Sequence, residues 1–221
     1  MERKIEIAVG EYYHIYNRGV EKRNIFLDKS DRERFMRLLY IANGHKPFIF
    51  RLVQGLPLDK IDIGERKVAI IAYVLMPNHF HLLVKESIEN GTSEFMEKLL
   101  TGYAMYFNKK YERVGPLFQG TFKAEHADRD EYLKYLFAYI HLNPIKLVEP
   151  KWEERGIRNK KGAERYLEKY RFSSYIDYVG VERSESLILA KEEAPDYFSG
   201  TRGFKDFLHD WLSYKDEVKN T

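Results

Sequence analysis

An α+β fold with the ferredoxin-like element order β-α-β-β-α-β is predicted by three observations. Strand-like runs and helical repeats alternate in that order between residues 11 and 142, and Met76-Pro77-Asn78 interrupts one long apolar run as a tight turn would. After Pro150 the composition becomes highly charged, which predicts a helical extension docked on the core. The chain is 221 residues long and 44% hydrophobic, enough for a packed core. It divides into a domain over 1–150 and an extension over 151–221.

Each element has a local reason. "EYYHIYNR" (11–18) is dense in β-formers and ends at Gly19, so it reads as a strand and turn. Residues 31–43 repeat Phe35, Leu38, Leu39 and Ala42 at helical spacing. Segment 44–66, with "FIFRLV" among Gly, Pro and Asp, is a short strand or an insertion. "KVAIIAYVLM" (67–76) and "HFHLLVKE" (79–86) are two strands of a hairpin. Residues 92–112 form a helix capped by Thr92 or Ser93, with Phe95, Leu99, Tyr103 and Tyr106 inward. "GPLFQGTFKAEHA" (115–127) reads as a strand and 128–142 as a third helix, stopped by Asn143-Pro144.

Composition excludes several classes. No cysteine is present, so disulfide scaffolds, thiolate metal sites and cysteine nucleophiles are out, and a metal would be held by His, Asn, Gln or carboxylates. No run approaches the roughly 18–20 apolar residues of a membrane span, and the N-terminus has no signal-peptide pattern, so no membrane partner and a cytoplasmic location are expected. Lys+Arg 37 against Asp+Glu 34 gives a net charge of +3, a mixed surface that decides little by itself. Seventeen tyrosines supply stacking faces of the kind single-strand binders use, although most must serve packing.

The strand 79–86 carries His79 and His81, which share a face because strand side chains alternate. Two such imidazoles can close on one divalent ion; equally, one can pack on the sheet while the other meets water, since two ligands do not fill a metal's shell. The third helix adds a second feature. Beside its apolar stripe Leu133, Leu136, Phe137 and Ile140 runs a flank of Tyr132, Tyr135, Tyr139 and Asn143, the last two one turn apart. Tyrosines beside a core stripe are commonly packing residues, and Asn before Pro is commonly a helix C-cap.

Taken together, "YHIYNRG" (13–19), "AYVLMPNHFHLLV" (72–84), "GPLFQGTFKAE" (115–125) and "YIHLNPIKLV" (139–148) resemble the HUH single-strand transposases, and more narrowly the REP-associated tyrosine transposases and their insertion-sequence relatives. The resemblance implies a metal-dependent endonuclease and transposase that cleaves and rejoins hairpin-associated single-stranded DNA, at a repeat element or a transposon end. Tyr139 would be the catalytic nucleophile forming a 5′-phosphotyrosine on an added catalytic helix, with Tyr135 the fallback. His79, His81 and Asn143 would hold Mg²⁺ or Mn²⁺; relatives often place glutamine where Asn143 stands. His141 lies about 160° around the helix from Tyr139 and is left out of the metal set. The resemblance leaves monomer and homodimer both open. An alternative is a catalytically silent single-strand nucleic-acid-binding domain of the same fold.

For DNA contact the candidates are Asn17 and Arg18 at the end of the first strand and the basic residues Lys98, Lys109, Lys110, Arg113 and Lys123. The basic cluster is equally a solvated helix face. Gln119 could contact phosphate or serve structure. His14 is a core histidine or a neighbour of the metal ligands.

Overall fold

The computed structural model describes residues 6–197 and 200–218, with side chains of the last helix as far as Asp210. The element order is the predicted one: β1 (Tyr12–Arg18), α1 (Lys29–Ile41), a short α2 (Phe50–Val53), β2 (Val68–Met76), β3 (His79–Glu86), α3 (Gly91–Lys110), β4 (Lys123–His126) and α4 (Asp130–Leu142). The strands form one antiparallel sheet in the order β2-β3-β1-β4. β2 is buried at every position, which explains its unbroken apolar run.

Four local expectations are corrected. α1 begins before residue 31 because Asp28 caps it: Asp28 Oδ1 accepts from the Asp31 N–H at 3.0 Å and Asp31 Oδ2 from the Asp28 N–H at 3.2 Å. "FIFRLV" is no strand; Phe50–Val53 is a helical turn whose carbonyl end is held by Arg37, donating to Val53 O at 2.9 Å. Neither Thr92 nor Ser93 caps α3: the N-cap is Asn90 in the left-handed region (φ 61°), and Thr92 gives its N–H and hydroxyl to the buried Glu86 carboxylate. The run 115–127 is extended only over Lys123–His126, because Gly115 (φ 93°) and Gly120 (φ 71°) turn the chain before it.

α1 and α3 pack together on one face of the sheet, where Phe35 meets Phe80 (ring centroids 5.0 Å) and Tyr103 (5.0 Å). α4 crosses the other face over β2 and β3. Beyond it come α5 (Trp152–Arg155), α6 (Lys160–Lys169), α7 (Tyr175–Tyr178) and α8 (Gly200–Val218). Their buried residues Trp152, Leu167, Tyr175, Ile176 and Phe204 join the same apolar core as the sheet. The extension also bonds to the β2 backbone: Leu75 N–H donates to Phe172 O and Ala190 N–H to Ile70 O, both at 2.9 Å. Among the described residues no helix is long and apolar enough to cross a membrane.

His141 anchors this junction. Its Nδ1 lies 2.8 Å from Phe137 O, so it donates there, and its Nε2 lies 2.9 Å from Ser174 Oγ, which in turn accepts from the Tyr73 N–H. Complete burial pushes its pKa down to about 3, against a smaller opposing effect of the Phe137 carbonyl. The folded ring therefore stays neutral while the unfolded one protonates near 6.5. Stability is complete above that value and falls as pH drops toward 3, by up to about 1.4 kcal/mol per pH unit. Denaturant unfolding of His141→Gln across this range should give a correspondingly shallower pH dependence than the parent.

Candidate active site

Strand register decides which side chains share the α4 face. Tyr16 pairs with His81, Arg18 with His79, Lys123 with Tyr16 and Glu125 with His14, and directly opposed residues project to the same side. One sheet face thus gathers His14, Tyr16, Arg18, His79, His81, Lys123 and Glu125. His79 and His81 stand with ring centroids 5.0 Å apart. α4 lays the Tyr139 ring edge-on against His81 at 5.4 Å and His14 at 6.4 Å, so the helix tyrosine and the strand histidines meet within one chain.

Two of the three imidazoles are hydrogen-bonded to each other, and the third is held by its neighbour Asn78. His14 Nε2 and His81 Nδ1 are 2.8 Å apart, and His79 Nδ1 is 2.6 Å from Asn78 Oδ1. Burial holds His79 down to about 4, helped by the positive charges of Lys146 and Arg18; it holds His81 well below its usual value, helped by His14, His79 and Lys146. His14 is lowered to about 4 by burial against the opposing pull of Glu125. All three are neutral at neutral pH, the form in which an imidazole offers a lone pair to a metal.

The donor set fits a divalent ion in a further respect. His81 Nε2 and both amide atoms of Asn143 are buried and have no hydrogen-bond partner, although buried polar atoms almost always have one. Asn143 follows α4 directly, one turn beyond Tyr139, and is fully buried. Among the described residues no group of three or more His, Asp or Glu side chains is spaced to hold a metal, so an ion here would rest on two imidazoles and an amide.

Around Tyr139 the tyrosine flank is stacked, Tyr132 on Tyr135 at 6.1 Å and Tyr135 on Tyr139 at 5.7 Å. Lys146 donates to the Tyr139 hydroxyl at 3.3 Å and pairs with Glu153 at 3.1 Å. Glu125 accepts from Tyr16 at 2.6 Å and Tyr132 at 2.9 Å. Sequence reasoning missed Tyr16, Glu125, Lys146 and Glu153. Tyr16 was signalled by the alternation His14-Tyr16-Arg18, and Lys146 by its distance of two helical turns from Tyr139; Glu125 depends on register and gives no local signal.

The candidate DNA contacts separate into groups. Arg18 and Lys123 are exposed beside the histidines, Arg18 donating to Gln119 Oε1 and Lys123 lying 5.9 Å from the Tyr16 ring centroid. Asn17 is buried on the opposite face, its Nδ2 donating to Gly120 O at 3.2 Å, so it shapes the loop before β4. Lys109, Lys110 and Arg113 lie at the end of α3, the helix on the other face. Lys110 is engaged there by Asp28 and Asp31, each at 2.7 Å, and Arg113 donates to Asn108 at 3.0 Å.

Residues 62–143 match the family model of the IS200-like transposases. The IS200-like match starts before β2 and ends at Asn143, so it contains His79, His81, Tyr139 and Asn143 and leaves β1 and the extension outside. Among solved structures, a REP-associated tyrosine transposase bound to a REP hairpin shares the fold, with a TM-score of 0.51 at 15% identity over 84% of this chain and 90% of that one. That share is larger than residues 1–150 supply, so the likeness runs past the IS200-like segment into the extension. No curated protein matches the sequence.

Proposed function

We propose that the chain is a single-tyrosine transposase acting on hairpin-associated single-stranded DNA, with its complete site in one subunit. One observation carries this reading: the Tyr139 ring meets His81 within the same chain, beside His79 and one turn before Asn143. The IS200-like match over the same residues and the fold shared with a hairpin-bound relative support it. Residues 1–150 would be the catalytic domain and 151–221 its helical extension.

His79, His81 and Asn143 would hold Mg²⁺ or Mn²⁺, which when bound supplies Lewis-acid stabilisation of charge on a DNA phosphate. Tyr139 Oη attacks the phosphorus and loses its proton; the bond to the 3′ oxygen breaks, and that oxygen leaves as a hydroxyl after taking up a proton. The product is a 5′-phosphotyrosine, which keeps the ester bond energy, so reverse attack by a 3′-hydroxyl rejoins strands without ATP. A phenol is a weak nucleophile, and Lys146 places a positive charge beside the oxygen that attacks. Arg18 and Lys123 flank this point and are the phosphate contacts nearest the chemistry. Lys109 and Arg113 would act further along the DNA, while Lys110 and Asn17 act through the structure they hold together.

Incubating the full chain with an end-labelled pool of single-stranded hairpins and Mn²⁺ should yield a covalent protein–DNA adduct on denaturing gels. Tight binding of the pool with no adduct at any hairpin would instead favour a silent binding domain.

A further inference from the structure

The hydrogen bond between His14 and His81 hides a choice. Two neutral imidazoles whose facing nitrogens are 2.8 Å apart share one proton, which belongs either to His81 Nδ1 or to His14 Nε2. The choice propagates in both directions. With the proton on His81 Nδ1, His81 Nε2 is a bare lone pair and His14 carries its own proton on Nδ1, which is buried and likewise has no hydrogen-bond partner. With the proton on His14 Nε2, His81 must carry a proton on Nε2, a buried N–H without an acceptor, and His14 Nδ1 becomes a lone pair.

What faces His14 Nδ1 is Glu125, whose Oε2 lies 3.7 Å away. That is longer than a hydrogen bond but close enough for charge to decide: a carboxylate attracts an N–H and repels a lone pair. Glu125 is fixed for this task by two donors from different elements, the Tyr16 hydroxyl of β1 and the Tyr132 hydroxyl of α4. We infer that Glu125 acts through His14 to hold His81 protonated at Nδ1, so that His81 Nε2 is presented unprotonated for a divalent cation. Glu125 and His14 are thus positioning residues, the outer links of a carboxylate–imidazole–imidazole chain, and metal ligands elsewhere commonly depend on such partners. This rests on the reading of His81 as a metal ligand given above, but its first test needs neither metal nor DNA.

Two-bond ¹H–¹⁵N correlation spectra of the metal-free, ¹⁵N-histidine-labelled full chain at neutral pH report the tautomer directly. His81 should show a pyrrole-type Nδ1 and a pyridine-type Nε2; the reverse assignment overturns the inference, whether or not any variant folds. In Glu125→Gln the charge is gone, so His81 should move toward a tautomer mixture and Mn²⁺ affinity, read by EPR of free Mn²⁺, should weaken roughly 10–100-fold. Tyr16→Phe and Tyr132→Phe each keep the carboxylate and His14, and should keep the tautomer. Wild-type tautomer and affinity in a folded Glu125→Gln would contradict the proposal. The expected tautomer without any DNA adduct would instead sink the transposase reading and leave this one standing.

Discussion

Tyr139→Phe should abolish the covalent protein–DNA adduct, a loss of at least about 10³-fold, while hairpin binding stays close to that of the parent. Only the phenolic oxygen is removed. The ring edge on His81 and the stack on Tyr135 persist, and the lost hydrogen bond from Lys146 is partly exposed, so stability should change by no more than about 0.5 kcal/mol. Adduct yield on denaturing gels and hairpin affinity by fluorescence anisotropy, measured on the same preparations, separate chemistry from binding. Tyr135→Phe is the matching control. Its ring is stacked one turn away and its residue is 37% exposed, so adduct formation should survive there. Adduct retained in Tyr139→Phe and lost in Tyr135→Phe would transfer the nucleophile to Tyr135.

Arg183→Ala should destabilise the fold by about 3–5 kcal/mol, read by denaturant unfolding. Its guanidinium, 5% exposed, pairs with the fully buried Asp177 side chain. It also donates to the Tyr73 hydroxyl and to Ser173 O, both at 2.8 Å, joining β2 to the segment around α7. Removing it leaves a carboxylate buried with Ser186 as its other side-chain donor, at 2.6 Å. The double variant Arg183→Ala with Asp177→Ala should recover part of the loss, because no unpaired charge is then left inside. A loss below about 1 kcal/mol in the single variant would mean that this extension is not built into the sheet's core as described.

Alternation and helical spacing are local, and the parts of this protein that depend on them were legible. The His79–His81 pair, the Tyr132–Tyr135–Tyr139 flank and the turn of His141 away from Tyr139 all follow from periods of two and of 3.6. Parts that depend on what lies across a strand or helix were not. Glu125 becomes a site residue only because β4 pairs with β1 in a register that sets it opposite His14. Lys110 reads as a solvent-facing cation at a helix end, yet α1 brings Asp28 and Asp31 against it. The segment "FIFRLV" is too short to show a period, and its helical turn depends on Arg37 of α1 reaching Val53 O. Asn143 sits between the two cases: its place one turn after Tyr139 is local, whereas its burial without a hydrogen-bond partner is tertiary.

In the proposed function, the tyrosine beside the histidine pair takes the DNA onto itself. Mass spectrometry of proteolysed protein–DNA adduct, formed with Mn²⁺ and a cleaved hairpin, locates the nucleotide-bearing residue. A 5′-linked nucleotide is expected on the peptide containing Tyr139, at that tyrosine. A nucleotide on any other residue would contradict it.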